Sequence, residues 1–277
     1  MKSVTQIQQK RAKLNTLNKL ALSLDSLGVL PRDSDNFFGN LAERASNRAS
    51  LFSEMKQQNI EAITALALEK ASSPSLAPPE TDWLMEFIEL AERSSNPRMQ
   101  ELWAKVLVAE SMAPGTFSLR TLRLLAKITP YEAAILRKAK SITVLDYRLK
   151  RSKIIIGTEA RPPKWNVLQP PLKRQINLAK SGLNYPDLLT LMDIGILHGE
   201  SIESGLLKVG ESLKFQFNGD VLQICPMKPN SVLNYLKYTM VGEELCKLTK
   251  VEPNSRYMKS LEENLHGIFS LQRTSTR

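Results

Sequence analysis

The stretch Met99–Leu125, MQELWAKVLVAESMAPGTFSLRTLRLL, decides how the middle of this chain folds. Its apolar residues recur three and four positions apart, which places them on one face of an α-helix; they are Met99, Leu102, Trp103, Val106 and Leu107. Pro114-Gly115 then breaks the helix, and Ser118 is of the residue type that caps the start of another helix. The stretch therefore predicts a tight corner between two packed helices.

Glu110 lies beside that apolar face, and packing alone does not explain a carboxylate there. A carboxylate that leaves water needs an ion pair or hydrogen-bond donors. We expect a structural ion pair between Glu110 and Arg120 or Arg123, with backbone N–H groups at the start of the second helix as the other source of donors. The alternative role, an active-site acid, lacks a second acid placed to complete a catalytic pair.

The composition is typical of a soluble globular protein, with 42% hydrophobic and 24% charged residues in a chain of 277. No apolar run reaches the roughly 18 residues that a membrane span requires. The opening segment, MKSVTQIQQKRAKLNTLNKL, lacks the apolar core of a signal peptide. We therefore expect a cytosolic protein without a transmembrane segment. Cys225 and Cys246 form no disulfide framework and are expected to be reduced thiols.

Helical periodicity dominates the first half of the chain and predicts a mainly α fold class. Two long helices are expected over 5–27 and 37–71, the second with an apolar stripe suited to a helix pair. Beyond residue 141, β-branched runs predict strands, and 213–225 has the pattern of a hairpin around Asn218-Gly219. We therefore predict an N-terminal helical arm (1–79), a compact helical domain (80–141) and a small α+β C-terminal domain (142–277).

The formal net charge of +10 permits an anionic partner, and its distribution says more than its sum. Basic residues crowd the segment from Arg137 to Lys153, where Asp146 is the single acid. Such a segment is either a solvated surface or a patch that contacts the phosphates of nucleic acid. The candidate nucleic-acid-binding residues are Arg137, Lys138, Lys140, Arg148, Lys150, Arg151 and Lys153.

Sequence motifs for catalysis, metals and nucleotides are missing. The two histidines, His198 and His266, have no histidine or cysteine at ligand spacing, so a metal site is not expected. The glycine-rich phosphate-binding patterns do not occur, and no cofactor is implied. The Asp33-x-Asp35 pair stands without further acids and is expected to belong to a loop. No catalytic residues are predicted, which favours a protein that is not an enzyme.

Two later stretches, DLLTLMDIGIL (187–197) and YTMVGEEL (238–245), resemble the framing pieces of winged-helix domains. In such domains a helix ends at a Gly-Leu or Gly-Ile step, a β wing follows, and a strand-to-helix junction closes the unit. The resemblance implies a winged-helix-like C-terminal unit with the 213–225 hairpin as its wing. The candidate recognition helix, 185–194, carries two aspartates and no lysine or arginine, which argues against DNA contact by that helix.

At a larger scale the chain resembles a family of uncharacterised bacterial proteins. The resemblance rests on KQQNIEAITALALEKA (56–71), DWLMEFIELAERSS (82–95) and above all 99–133, which contains the signature LWAxxLxxExxxPGxxSxRxL over residues 102–122. It extends from residue 50 to residue 250 and implies family membership without a biochemical activity. Related families with this kind of architecture are associated with defence against phage.

The leading functional hypothesis is a non-enzymatic cytosolic interaction or regulatory protein. Its partner would be another protein or a second copy of the chain, bound through the N-terminal helices. The alternative is a nucleic-acid-binding protein that uses the basic segment 137–174, with a role in phage defence. An unrecognised enzyme or toxin is the third hypothesis, and a pocket that collects Glu110, Arg120 and His198 would support it. The sequence implies no particular small-molecule ligand.

Overall fold

The computed structural model describes residues 15–29, 40–71, 78–163 and 170–275. The chain divides into two compact units. Unit 1 comprises Met1–Ser72 with Phe87–Val108, and unit 2 comprises Ser73–Glu86 with Ala109–Arg277. The division into three domains at residues 79 and 141 stays a prediction. The Asp33-x-Asp35 pair and the predicted helical residues 5–14 lie outside the described residues.

Four helices come first along the described part of the chain, and the second is the longest, with 30 residues. A capping box starts it, because the Asn40 side chain accepts from the Glu43 N–H while the Glu43 carboxylate accepts from the Asn40 N–H. The third and fourth helices each have residues in both units. The four are α1 (15–26), α2 (Leu41–Lys70), α3 (Thr81–Ala91) and α4 (Pro97–Met112).

An aromatic pair lies in the core of unit 1. The rings of Phe87 and Trp103 meet edge to face with their centroids 5.5 Å apart, and both side chains are fully buried. Asn59 on α2 adds a polar tie, since its side-chain NH₂ donates to the Glu92 carbonyl at 2.9 Å and its carbonyl accepts from Gln100 at 3.2 Å. These contacts hold the C-terminal half of α2 within unit 1.

The helices of unit 2 begin at the caps that the sequence predicts. The Ser118 hydroxyl accepts from the Thr121 N–H, which confirms the cap predicted there. The pattern Thr129-Pro-Tyr-Glu132 likewise predicts a capping box, and the structure confirms it. The helices are α5 (Leu119–Leu125), α6 (Pro130–Ser141), α7 (Tyr185–Asp193), α8 (Met240–Leu248) and α9 (Ser255–Leu265), with a short 3₁₀ turn over Leu178–Ser181.

Eight antiparallel strands form one sheet in unit 2, in the order β4-β7-β2-β1-β5-β6-β8, with β3 paired to β2 beside this path. Every residue of β2 except one is buried, as expected for a strand between packed layers. The strands are β1 (Val144–Asp146), β2 (Ser152–Ala160), β3 (Leu172–Gln175), β4 (Leu197–Glu203), β5 (Leu213–Phe217), β6 (Asp220–Pro226), β7 (Ser231–Tyr238) and β8 (Phe269–Thr274).

Tyr257 anchors α9 on the sheet beside an irregularity in β2. The register of β2 against β7 shifts between Ile155 and Gly157. At this point the Tyr257 hydroxyl accepts from the Ile155 N–H at 3.1 Å and donates to the Ile155 carbonyl at 3.0 Å. The hydroxyl thus satisfies backbone groups next to the bulge, and burial raises the pKa of Tyr257 well above its ordinary value.

The prediction of a mainly α fold class is wrong, because the chain is α+β. Helices account for 51% of the structure and strands for 21%, and the eight-stranded sheet occupies the C-terminal half. Two segments illustrate the error. The periodicity of 172–179 predicts a helix, yet Leu172–Gln175 forms β3 by pairing with Gly157–Ala160 of β2. The segment QRTSTR (272–277) predicts a frayed tail, yet its residues 272–274 belong to β8, which pairs with β6.

The winged-helix-like expectation for the C-terminal part is also not confirmed. The predicted hairpin exists, with β5 and β6 joined at Asn218-Gly219, but its neighbours in the sheet are β1 and β8. The strand that precedes α8 is β7, which pairs instead with β2 and β4. The hairpin therefore belongs to a large sheet rather than to a separate wing. Across the described residues, no helix combines the length and the apolar character needed to cross a membrane.

Candidate functional site

The corner between α4 and α5 is closed by Glu110, whose side chain is buried. One carboxylate oxygen accepts from the Gly115 N–H at 2.6 Å and the other from the Phe117 N–H at 2.9 Å. Gly115 has φ +84°, a backbone conformation that favours glycine. Backbone donors just before α5 therefore satisfy the carboxylate, so Glu110 has an architectural role in the corner.

The two arginines expected beside Glu110 lie elsewhere. The Arg123 guanidinium pairs with Glu86 at 2.7 Å, and this hydrogen bond raises the pKa of Arg123 and lowers that of Glu86. Arg120 is exposed and forms no ion pair within the described part of the chain. The predicted structural ion pair of Glu110 with Arg120 or Arg123 is thus replaced by hydrogen bonds to the backbone.

A second buried carboxylate, Glu244 on α8, reaches the same corner. It accepts from the Ser118 N–H at 2.7 Å and from the Ser118 hydroxyl at 3.1 Å. Sequence reasoning missed this residue. The sequence gives little indication of its role, because Glu243 and Glu244 are adjacent on a short helix. Only the tertiary structure shows which of the two side chains is directed toward the corner. Glu243 lies on another side and pairs with Arg151.

Most cations of the basic segment 137–174 bind acids or carbonyl groups of unit 2. This pairing lowers the positive charge available to a partner, since each bound acid offsets a cation. Arg137 on α6 is exposed, and Lys164 lies outside the described residues. The paired cations are Lys138 with Asp187, Arg151 with Glu243, Lys153 with Asp146, Arg161 with Glu159 and Glu203, and Lys173 with Glu159, while Arg174 donates to the carbonyl of His266.

Lys153 is the one buried cation among the candidate nucleic-acid-binding residues, so it does not face solvent. Its ammonium bonds the Asp146 carboxylate at 2.7 Å and lies 4.3 Å from the ring centroid of Tyr235. Burial raises the pKa of Asp146, but the Leu149 N–H, the Lys153 ammonium and the Arg148 N–H together hold it below its ordinary value. The pair is part of the packing under the β1–β2 turn.

The β1–β2 turn, residues 147–151, forms what we call the basic tip. The Asp146 carboxylate fixes its backbone by accepting from the Arg148 and Leu149 N–H groups. All five residues are exposed, and the Lys150 ammonium lies 4.2 Å from the ring centroid of Tyr147. Among the described residues, Arg148 and Lys150 form no ion pair. The tip therefore presents two unneutralised cations beside an aromatic ring on a hydrogen-bonded turn.

A cleft of about 240 Å³ opens between the end of α6, the β1–β2 pair and the β5–β6 turn. We call it the α6 cleft. Part of its wall is apolar, and Lys140 with hydroxyl and amide side chains supplies the polar part. The lining residues are Lys140, Ser141, Thr143, Leu145, Ser152, Gln216, Phe217, Asn218, Gly219, Val251 and Pro253.

The wall of the α6 cleft at Thr143 leads to a buried thiol. The Thr143 hydroxyl lies 2.8 Å from the Tyr238 hydroxyl, and Tyr238 in turn bonds Cys246. Burial raises the pKa of the Cys246 thiol to about 11, although the nearby Lys140 ammonium opposes that rise. The thiol is therefore protonated at neutral pH and is not poised as a nucleophile.

The remaining candidates for chemistry do not meet in the α6 cleft. None of Glu110, Arg120 and His198 lines it, so the cluster that would support an enzyme does not form there. Within the described ranges, no group of three or more His, Cys, Asp or Glu side chains could hold a metal ion. The α6 cleft and the basic tip of unit 2 both carry lysine side chains.

Comparison with known proteins identifies a family. A family model described as "Protein of unknown function (DUF2806)" matches residues 43–262. The chain belongs to this family. Comparisons with curated proteins and with solved structures gave no match. The match of this DUF2806 member includes the signature at 102–122 without singling it out, so that signature stays a prediction, while membership of an uncharacterised family is confirmed.

Proposed function

We propose that this DUF2806 protein is a non-enzymatic interaction protein that self-associates through its N-terminal helices. The surface concerned is the arm, which we define as residues 15–29 and 40–62. The observation that carries the proposal is that no residue of the arm is buried, although large apolar side chains lie on both helices. Leu17 and Leu41, for example, are 60% and 75% exposed.

The half-buried positions of the arm up to residue 55 indicate how its two helices pack. They recur three, four or seven residues apart, so they form one face of each helix; they are Ala21, Leu24 and Leu27 on α1 and Arg44, Leu51 and Met55 on α2. The end of α1 lies beside α2, since a Cβ built on Gly28 would be 3.7 Å from the Arg48 Cβ. We infer an α1–α2 hairpin whose inner face is only partly covered.

Large apolar side chains of the arm remain exposed in the described part of unit 1, and Leu17 and Leu20 continue the half-buried face of α1 at four-residue spacing. The exposed side chains are Leu17, Leu20, Leu22, Val29, Leu41 and Phe52. Contiguous apolar surface on a helix pair favours association, because its burial contributes roughly 25 cal/mol per Å². Two such hairpins can bury their exposed apolar side chains against each other as a four-helix bundle with two-fold symmetry.

Charge favours a second copy as the occupant. The described arm carries four basic residues, Lys19, Arg44, Arg48 and Lys56, and four acidic residues, Asp25, Glu43, Glu54 and Glu61. Charges of the two signs are thus balanced over the described helix faces, so these faces add no net repulsion between two copies.

Light scattering on the full chain, over a range of concentrations, tests the proposal. We expect a dimer mass for the wild type and a monomer mass for Leu41→Glu combined with Phe52→Glu. Leu68→Glu is the matched control, because Leu68 lies on the same helix outside the arm and is equally exposed, at 76%. A monomer mass for the wild type at every concentration, with normal helical circular dichroism, would overturn the proposal.

We also propose that the protein works in the cytosol. Cys225 and Cys246 are both free thiols, and Cys246 is buried, which suits a compartment that keeps cysteines reduced. Cell fractionation of a tagged full-length chain tests the location, and recovery of the protein outside the cytosol contradicts it.

Nucleic-acid binding is the second candidate function, and the basic tip is the observation that favours it. Arg148 and Lys150 stay unneutralised there, beside Tyr147, whereas Arg151 and Lys153 are engaged by acids. Each phosphate contact releases counterions, so the affinity for a single-stranded or double-stranded probe should fall steeply with salt. Arg148→Glu with Lys150→Glu should abolish retention, while Lys259→Glu on α9 leaves it unchanged. If the Arg148→Glu/Lys150→Glu variant is retained on the nucleic-acid column as strongly as Lys259→Glu, this candidate function is wrong.

A further inference from the structure

We propose that the α6 cleft binds a small organic anion, held by Lys140 and Ser152 through its oxyanion and by the apolar wall through its body. This inference does not depend on self-association, because the cleft lies within unit 2 and the arm within unit 1. It concerns a ligand that fits inside the fold, whereas the second candidate function concerns the exposed tip.

Ser152 is the observation that points most directly to a ligand. The residue is only 8% exposed, yet it lines the cleft and its hydroxyl bonds no group among the described residues. Its backbone is held in place, since the Ser152 N–H donates to the Glu243 carboxylate at 3.2 Å. A serine hydroxyl can both donate and accept, so this one, at the lining of the cleft and without a protein partner, is suited to bond a ligand atom.

The polar side of the cleft is cationic and rich in unengaged donors. Lys140 forms no ion pair with any described residue, and Gln216 and Asn218 make no side-chain hydrogen bonds there. No aspartate or glutamate lines the cleft, so nothing within it neutralises the ammonium. An ammonium, a hydroxyl and two amides without an acid select an oxyanion, either a carboxylate or a phosphate.

Part of the wall of the cleft is apolar and defines the rest of the ligand. Leu145, Phe217, Val251 and Pro253 form this part, and Leu145 is the strand-register partner of both Ser152 and Gln216, so polar and apolar groups lie side by side. A volume of about 240 Å³ is smaller than most drug-sized pockets, which limits the occupant to a compact molecule. Ligand sites commonly combine such an apolar wall with a few placed polar groups. The fitting ligand is an oxyanion joined to a flat or aliphatic body.

Thermal unfolding of the full chain at constant ionic strength tests this site. The probes are sodium benzoate, adenosine monophosphate and inorganic phosphate, which separate a carboxylate with an apolar body, a phosphate ester and a phosphate without a body. We expect Tm to rise with the concentration of benzoate or of adenosine monophosphate, because a ligand that binds only the folded state stabilises it. Inorganic phosphate should act more weakly, since it cannot contact the apolar wall.

Two variants connect the effect with the cleft. Lys140→Met keeps the aliphatic stem and should weaken the apparent Kd about ten- to a hundred-fold, through loss of a charge-assisted hydrogen bond. Because Lys140 also lies in the last turn of α6, where a cation stabilises the helix end, the readout is the ligand-induced change in Tm rather than Tm itself. Ser152→Ala is the second variant and should also weaken binding.

Lys127→Met provides the matched control, since Lys127 is an exposed lysine of the same unit outside the cleft. Its ligand response should equal that of the wild type. The inference is overturned if neither benzoate nor adenosine monophosphate changes the Tm of the wild type. It is equally overturned if Lys140→Met and Ser152→Ala respond to the ligand as the wild type does.

Discussion

Glu110 and Glu244 show how single residues define the α4–α5 corner. Both are buried acids, and both accept hydrogen bonds from the backbone around it, at Gly115, Phe117 and Ser118. A buried carboxylate with two donors is well satisfied, because hydrogen bonds to a charged acceptor are stronger than neutral ones. The corner is therefore held by its interior as well as by the helix-breaking Pro114-Gly115 step.

Replacement of Glu110 tests this role. We expect Glu110→Ala to lower the free energy of unfolding by about 3 kcal/mol, because the Gly115 and Phe117 N–H groups lose their acceptor. Glu110→Gln keeps one acceptor oxygen and should cost less. Urea denaturation measures both changes. Glu101→Ala, on the exposed side of the same helix, is the control and should change the stability by no more than about 0.5 kcal/mol. Equal losses for Glu110→Ala and Glu101→Ala contradict the assignment.

Asp146 makes stability depend on pH in the acid range. Its pKa in the folded state lies below the value near 3.8 of an exposed aspartate, so its contribution is fully present above that value and is lost as pH falls through the folded pKa. At neutral pH we expect Asp146→Asn to destabilise the protein by about 3 kcal/mol, since it leaves Lys153 buried and unpaired. The measurement is the difference in Tm between wild type and variant.

The difference in Tm between the wild type and Asp146→Asn should narrow as pH falls from about 5 to about 2. At low pH the wild-type Asp146 carboxylate becomes neutral, like the amide that replaces it in the variant. A difference that stays constant over this range would mean that the pKa of Asp146 is the same in the folded and the unfolded protein, contrary to the expectation. Asp82→Asn at the exposed start of α3 is the control, and its Tm should track that of the wild type throughout.

At the scale of elements, α8 shows a conflict between helix propensity and packing. Thr239 caps the helix, accepting from the Gly242 N–H, and its own hydroxyl donates to the Gly195 carbonyl at 2.6 Å. The turn after α7 therefore lies directly against the first turn of α8. A Cβ built on Gly242 would be 2.2 Å from the Ile196 carbonyl oxygen, so this approach requires glycine.

The variant Gly242→Ala separates the effect of helix propensity on stability from the effect of packing. Alanine is favoured over glycine inside a helix by about 1 kcal/mol, so local propensity alone predicts a gain in stability. The contact with the Ile196 carbonyl predicts the opposite, and we expect a net loss of about 2 kcal/mol because backbone must move. Gly199→Ala on β4, where nothing lies within 4 Å, is the control for thermal unfolding. A higher Tm for Gly242→Ala would show that α8 can move away from the turn.

Elements differ in how far the sequence predicts them. The caps at Ser118 and Thr129 depend on residues within one turn of the helix, and both were predictable. The β5–β6 hairpin was predictable for the same reason, since Asn-Gly closes it locally. In contrast, β3 and β8 become strands only because β2 and β6 offer them paired backbone groups. No local pattern within those segments encodes such distant partners.

At the scale of the whole molecule, unit 2 and the arm differ in how many of their residues are buried. Unit 2 holds an eight-stranded sheet with a buried central strand, whereas the arm of unit 1 contains no buried residue among those described. A helix of this kind gains little from its own propensity, because helices in proteins are stabilised mainly by packing. The stability of the arm should therefore depend on a second copy.

Hydrogen exchange measured at two protein concentrations tests this dependence. In dilute protein we expect amides of 41–55 to exchange orders of magnitude faster than those of β2 and β7, because local opening there breaks few apolar contacts. At high concentration the exchange of 41–55 should slow, while that of 63–70 on the same helix changes little. Protection of 41–55 that is independent of concentration would show that the arm is stable in a single copy.

Two features of unit 2 in this DUF2806 member depend on residues that lie far apart in the sequence. The basic segment 137–174 is visible in the sequence, but its neutralisation by acids from α7, α8 and other strands is not. The α6 cleft has no sequence signal either, because its lining comes from four separated stretches of the chain. Contacts between residues that lie far apart in the sequence leave no local periodicity by which they could be predicted.

Features that depend on neighbours within a few residues follow from the sequence of this protein: the apolar helix faces, the N-caps, the Asn-Gly hairpin and the corner at Pro114-Gly115. The fold class, the donors that satisfy Glu110 and the charge left free on the basic segment emerge only when the chain is folded. The difference is one of range. Propensity and capping act along the chain, whereas strand pairing, ion pairing and burial act between residues that folding alone brings together.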